Sequence, residues 1–118
     1  MIDDVLITRE KRILHPQGDI LHALKRTSPG FLRFGEAYFS IVNPGVTKGW
    51  KRHRRATLNL VVPVGEVRFV VYDDRPLTTT RGQFMEITLA ETDYKRLTVP
   101  PMLWVAFQGV NDSLNLIL

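Results

Sequence analysis

No window of this sequence sustains a helical apolar period beyond about a dozen residues, and that exclusion constrains the fold more than any other feature. Short apolar or alternating runs recur instead. They are Asp4 to Thr8, Ile20 to Lys25, Phe31 to Val42 (broken near Gly35), Ala56 to Val64, Glu66 to Tyr72, Phe84 to Leu89, Leu97 to Phe107 and Leu114 to Leu118. Their Val, Ile, Phe, Tyr and Thr content suits a pleated surface. Turn formers separate them: Pro16 to Asp19, Ser28-Pro29-Gly30, Asn43-Pro44-Gly45, Asp73 to Pro76, Arg81-Gly82 and Pro100-Pro101. The pattern predicts an all-β barrel or sandwich of short antiparallel strands. The best short helix is a turn over Glu91 to Leu97. From Glu66 to Tyr72, Val67, Phe69 and Val71 alternate with Glu66, Arg68 and Tyr72, which predicts one buried face. Val61-Val62-Pro63-Val64 is apolar on both faces, so Ala56 to Val64 is expected to lie centrally with Pro63 at its end. The acidic pair in Asp73-Asp74-Arg75-Pro76 reads as a surface turn.

At 118 residues the chain has room for one domain with a real core and not for two, so residues 1–118 are read as a single unit. The absence of cysteine excludes disulfides and thiolate metal sites. The start, Met1 to Arg12, is acidic and then basic, with no apolar segment after a positive one. No run approaches the ~18 apolar residues of a membrane span, so a cytoplasmic setting is expected.

The formal net charge is +4, and charge is concentrated locally. Lys48 to Arg55 holds five Lys or Arg together with Trp50 and His53. The remainder is close to neutral, which points to a local anion site. If the run is extended, Lys51, His53 and Arg55 share one face and Trp50, Arg52 and Arg54 the other. Three readings compete: a solvated edge, a nucleic-acid patch, and the polar mouth of a small barrel. Two separated Trp are few for a base-stacking platform, so nucleic acid is the weaker partner. Trp50 and Trp104 read better as barrel-lip hydrophobes.

Gly45, five residues, Lys51-Arg52-His53, four residues, Leu58, six residues and Gly65 keep the spacing of the first metal-binding motif of the cupin barrels. In the second motif, Pro100 to Val105, Val105 stands at the ligand position. One His beside Lys51, Leu58 and Val105 does not supply the three or four N/O ligands a divalent ion needs, and His15 and His22 do not repair the spacing. No metal or other cofactor is expected.

A resemblance covers nearly the whole chain. It is carried by Gly18 to Leu21, Phe34 to Ser40, Pro44 to Trp50, Val71 to Pro76 and Val99-Pro100-Pro101. These segments resemble dTDP-4-dehydrorhamnose 3,5-epimerase and its relatives, metal-free cupins acting on nucleotide-linked 4-keto sugars. The resemblance implies a cupin-type jelly-roll barrel, commonly a homodimer, that binds a dTDP-linked 4-keto-6-deoxy sugar and moves a proton next to its ketone. In that family the base is a His of an Arg-Gly-x-His motif. Here the motif falls on Lys48-Gly49-Trp50-Lys51, so Lys48 keeps the charge and Lys51 stands where the base would be. The enolate-holding Lys falls near Leu58, and no Tyr follows Tyr94 to act as acid. The segment expected to bring an orienting Asp lies beyond Leu118 or is absent.

Two residues are candidates for the base. A lysine crowded by Arg52, Arg54 and Arg55 is one, since neighbouring like charge favours a neutral amine. His53, two residues along the same face, is the other. The candidate site is therefore Lys51 and His53 as catalytic residues, with Lys48, Arg55, Asn59 and Trp104 binding an anionic nucleotide-linked sugar. The alternative is a barrel that binds such a ligand without turning it over.

Overall fold

The computed structural model describes residues 1–118 and contains strands only: β1 (Leu6–Arg9), β2 (Arg12–Ile13), β3 (Ile20–Leu21), β4 (Ser40–Ile41), β5 (Thr47–Arg52), β6 (Leu58–Leu60), β7 (Glu66–Tyr72), β8 (Phe84–Ala90), β9 (Lys95–Val99), β10 (Trp104–Gly109) and β11 (Leu116–Ile117). Two antiparallel sheets face each other, one in the order β5-β10-β7-β8 and one in the order β1-β9-β6. The ladders β2–β3 and β4–β11 complete it. With no helix present, none is long and apolar enough to cross a membrane.

The alternation read along Glu66 to Tyr72 is what builds the core. Register carries it across three strands: Val105, Val71 and Met85 lie in one row, Phe107, Phe69 and Ile87 in the next, and Gly109, Val67 and Leu89 in a third. The second sheet contributes Ile7, Leu97 and Leu60 in one row and Val99 beside Leu58 in another. These side chains join one apolar cluster centred on Phe69, Val67, Val71, Leu89 and Leu97, all fully buried. Burying such faces against each other is the main favourable term in a fold of this size.

Three expectations are corrected. Glu91 to Leu97 is not helical: Asp93 closes a turn by donating its amide to the Ala90 carbonyl, and Lys95 onward is the central strand β9 of its sheet. β9 pairs on both sides, and tertiary pairing outweighs a weak local helical preference. Ala56 to Val64 is not central either. Only Leu58–Leu60 is a strand, at a sheet edge, while Val61 exchanges backbone hydrogen bonds with Leu118. Asp73 is not at the surface but fully buried.

Asp73 anchors the β7–β8 loop. Its carboxylate accepts hydrogen bonds from Arg75 Nε (3.0 Å) and Nη2 (2.9 Å), Thr78 Oγ1 (2.9 Å) and Thr80 Oγ1 (2.7 Å). Arg75 continues to the Asp3 carbonyl and the Asp4 carboxylate, so the same cluster straps the N-terminus down. The Arg75 hydrogen bond, working against burial, holds the Asp73 carboxyl well below the usual carboxylate range.

A group of this kind binds its proton more tightly when unfolded. Its contribution is complete above the ordinary value of 3.8 and is lost as pH falls below it. Asp73→Asn is expected to destabilise the protein by about 3 kcal/mol at pH 7 and to flatten the stability loss on acidification. Urea unfolding at pH 7 and pH 3 checks this; equal stability of the two proteins at pH 7 would refute the anchoring role.

Candidate functional site

β5 carries the basic run, and its pairing with β10 decides where each side chain points. Lys51 stands opposite Val105, Arg52 opposite Trp104 and Lys48 opposite Phe107, with a register shift between Val105 and Phe107. Gly49 and Trp50 therefore share the single partner Ala106, which is a β-bulge. Strict alternation would send Lys48 and Lys51 to opposite faces, because they are three residues apart. The bulge returns both to the face of Val105 and Phe107, the inner face of the barrel.

Gly49 makes this possible. Its φ is +133°, and an added Cβ would lie 2.7 Å from both Cα and Cβ of Ala106. Only glycine occupies such a position without strain. A lone glycine inside a strand-like run is itself a bulge signal, one the alternation argument passed over.

Lys48 is fixed: its Nζ donates to the Ile41 carbonyl at 2.8 Å and to Ser40 Oγ at 3.3 Å, which ties β5 to β4. Lys51 is solvent-exposed and forms no ion pair. His53 follows directly after the strand, half-buried, with its carbonyl accepting from the Met102 amide at 2.7 Å. Arg54 and Arg55 form an exposed bend. Lys48, Lys51, His53 and Arg55 thus gather along one short stretch at the barrel rim.

Asn59 and Trp104 stand apart from that group. Asn59 projects from the outer face of the β1-β9-β6 sheet, and both polar atoms of its amide have partners. Oδ1 accepts from Arg96 Nη1 (2.5 Å) and Thr98 Oγ1 (2.7 Å), while Nδ2 donates to the Gly30 carbonyl (3.1 Å). Arg96, buried, also pairs with Glu10 at 2.8 Å. Trp104 lies on the outer face of the other sheet. There its Nε1 donates to Asp74 (3.1 Å) and the Arg52 guanidinium sits 4.8 Å from its ring centre.

No tyrosine is placed to return a proton beside Lys51 from the inner face of β7 or β9. Tyr72 is on the outer face, and Tyr94 is buried, its phenol pushed up to about 12 by that burial and then by the nearby Glu10 carboxylate. No three His, Asp or Glu side chains are grouped to hold a metal ion.

The strands-only architecture, with two antiparallel sheets closed over one apolar core, defines the class, a cupin-type jelly-roll barrel, as comparison with known proteins bears out. A dTDP sugar isomerase from Desulfovibrio desulfuricans is 36% identical and superposes with a TM-score of 0.95, covering 98% of this chain and 74% of that one. The chain belongs to the dTDP-4-dehydrorhamnose 3,5-epimerase family. The fold is shared more widely. The epimerase RmlC of Legionella pneumophila, solved with dTDP-4-keto-L-rhamnose, is 22% identical with a TM-score of 0.84, over 98% of this chain and 65% of that one. The probable low-salt glycan biosynthesis epimerase Agl13 of Haloferax volcanii is 28% identical over 83 residues, 70% of this chain. The match spans 53%, about half, of that relative's length. No protein-family model matches the chain.

The bulge gives a direct test. Gly49→Ala is expected to cost about 2–4 kcal/mol through strain and overpacking against Ala106, lowering the melting temperature by roughly 10 °C. Lys48→Ala, which creates no clash, is expected to melt much closer to the wild type. Thermal melts in which Gly49→Ala matches the wild type would remove the close approach from the account.

Proposed function

We infer that this chain is a nucleotide-sugar epimerase or ketoisomerase that binds a dTDP-linked 4-keto-6-deoxy sugar at the rim formed by Lys48 to Arg55. The observation that carries the reading is the bulged β5, which turns Lys48 and Lys51 to the inner face of a barrel of this family. Lys48, Lys51 and Arg55 supply positive charge for the diphosphate, which such groups recognise through charge-assisted hydrogen bonds. The whole of residues 1–118 acts as one cupin-like unit in this reading, in a cytoplasmic setting.

The reaction moves one proton. A neutral Lys51 amine or His53 imidazole takes the hydrogen from the carbon next to the ketone. The C–H electrons pass to the carbonyl oxygen, and a lysine ammonium stabilises the resulting enolate. Return of a proton to the other face of the sugar ring completes the inversion. The second reading, binding without turnover, draws support from the apolar Leu58 and Val105, which turn to the inner face where a cupin places polar ligands.

Proton NMR in heavy water with dTDP-4-keto-6-deoxyglucose separates the two. Turnover predicts loss of the signals beside the carbonyl, slowed at least ~100-fold when the base is removed in Lys51→Ala or His53→Ala. Exchange that persists at full rate in both variants would sink both base assignments. Line broadening without exchange would establish binding alone.

A homodimer belongs to the same reading. From Glu10 to Ile41 no residue is buried, and Leu32 (74% exposed), Phe34 (75%) and Phe39 (64%) face solvent in this chain. An apolar stretch of this extent is characteristic of a surface covered by a partner. Sedimentation is expected to show a dimer that Phe34→Glu with Phe39→Glu dissociates; a monomeric wild type would refute it.

A further inference from the structure

The outer face of the β5-β10-β7-β8 sheet carries a feature that the epimerase reading leaves unused. Cross-strand register lines up Arg52, Trp104, Tyr72 and Phe84 in one row at the end of the sheet. Trp50, displaced by the bulge, leans over the same row, its ring centre 6.3 Å from that of Phe84. Trp50, Tyr72, Phe84 and Trp104 together line an open bowl of about 340 Å³. Phe84 (63% exposed) and Trp50 (49%) are the most accessible of the four. At the rim, Asp74 accepts from Trp104 Nε1 at 3.1 Å, while Arg52 reaches it only at 3.9 Å.

We propose that this bowl is a binding site for a neutral pyranose ring. The rings are tilted rather than parallel: Trp50 and Phe84 make an angle of 57°, Tyr72 and Phe84 one of 33°. A flat nucleobase needs a parallel slot to stack on both faces, whereas a splayed cup fits the puckered C–H face of a sugar. The rim offers an acceptor in Asp74 and a fork of donors in Arg52, the complement of vicinal hydroxyls. That weakly paired acid and base are close to neutral together, so the bowl has no charge preference for an anion. An apolar floor with a few convergent polar groups is the usual build of a small-molecule site. The bowl is on the opposite side of β5 from Lys48 and Lys51, so it is separate from the proposed diphosphate site.

The chain's two tryptophans both lie in the bowl, so intrinsic fluorescence reports on it. Titration of the full chain with methyl β-D-glucopyranoside and methyl α-L-rhamnopyranoside is expected to give a saturable emission change with a Kd on the order of millimolar for at least one of them. Thymidine is expected to give none. Asp74→Ala, at a half-exposed position, is expected to weaken the sugar response about tenfold, while Lys51→Ala binds the sugar as the wild type does. Saturation by neither glycoside, a response to thymidine instead, or a response untouched by Asp74→Ala would overturn the proposal. So would an emission change that follows protein concentration alone, which would mean a second copy covers the bowl. A failed epimerase assay leaves these outcomes unaffected, because Lys51 is not part of the bowl.

Discussion

Most of this structure depends on the position of one strand. β10 is hydrogen-bonded on both sides, to β5 and to β7, and so sets the facing of every side chain across the larger sheet. One set of its alternate residues, Val105 and Phe107, enters the core, while Trp104 and Ala106 face outward. A single-residue slip would exchange the two sets and put tryptophan into the barrel. The bulge at Gly49 is the one departure, and it changes only what lies upstream of it. Arg52 and Lys51 keep their regular facing; Lys48, still exposed, is turned to the face that Phe107 shares.

Two buried charge networks fasten the loops onto the sheets that apolar contact builds. Asp73 and Arg75 fasten the β7–β8 loop and the N-terminus to each other, and both are withdrawn from solvent. Arg96 plays the corresponding part on the smaller sheet, bridging Glu10, Asn59 and Thr98 beneath the segment at Gly30. Its Nη2 has no partner, so this network is only partly satisfied. Buried charges of this kind add little net stability when complete, but their loss leaves an uncompensated partner. They act as fasteners that select one arrangement of the loops.

The alternation of β7 was legible because a half-buried strand writes its two faces directly into the sequence. Turn positions were legible for the same reason: Pro, Gly and Asp restrict the backbone locally. Lys48, Lys51 and His53 stood out through charge density alone. What escaped was set by contacts distant in sequence. Asn59 looks like a free polar residue until Arg96, 37 positions away, claims its oxygen. Asp73 looks like a turn former until Thr80 and Arg75 enclose it. Trp104 shares its face with Arg52 and lies on the side of the sheet away from the lysines, which alternation alone does not announce, since no local pattern says which face of a strand the barrel will close upon.

The inner-face lysines also impose a choice within the proposed reaction. A diphosphate resting on Lys48 and Lys51 favours the charged form of both, since a nearby anion stabilises an ammonium. A charged lysine binds phosphate and holds an enolate but accepts no proton. If both lysines serve the anion, the base role passes to His53, the neighbouring side chain whose imidazole can accept a proton. If Lys51 is instead the base, the diphosphate must rest on Lys48 and Arg55 and keep its distance. Binding and proton abstraction thus compete for one side chain. The position of the phosphates along β5 decides which residue does the chemistry.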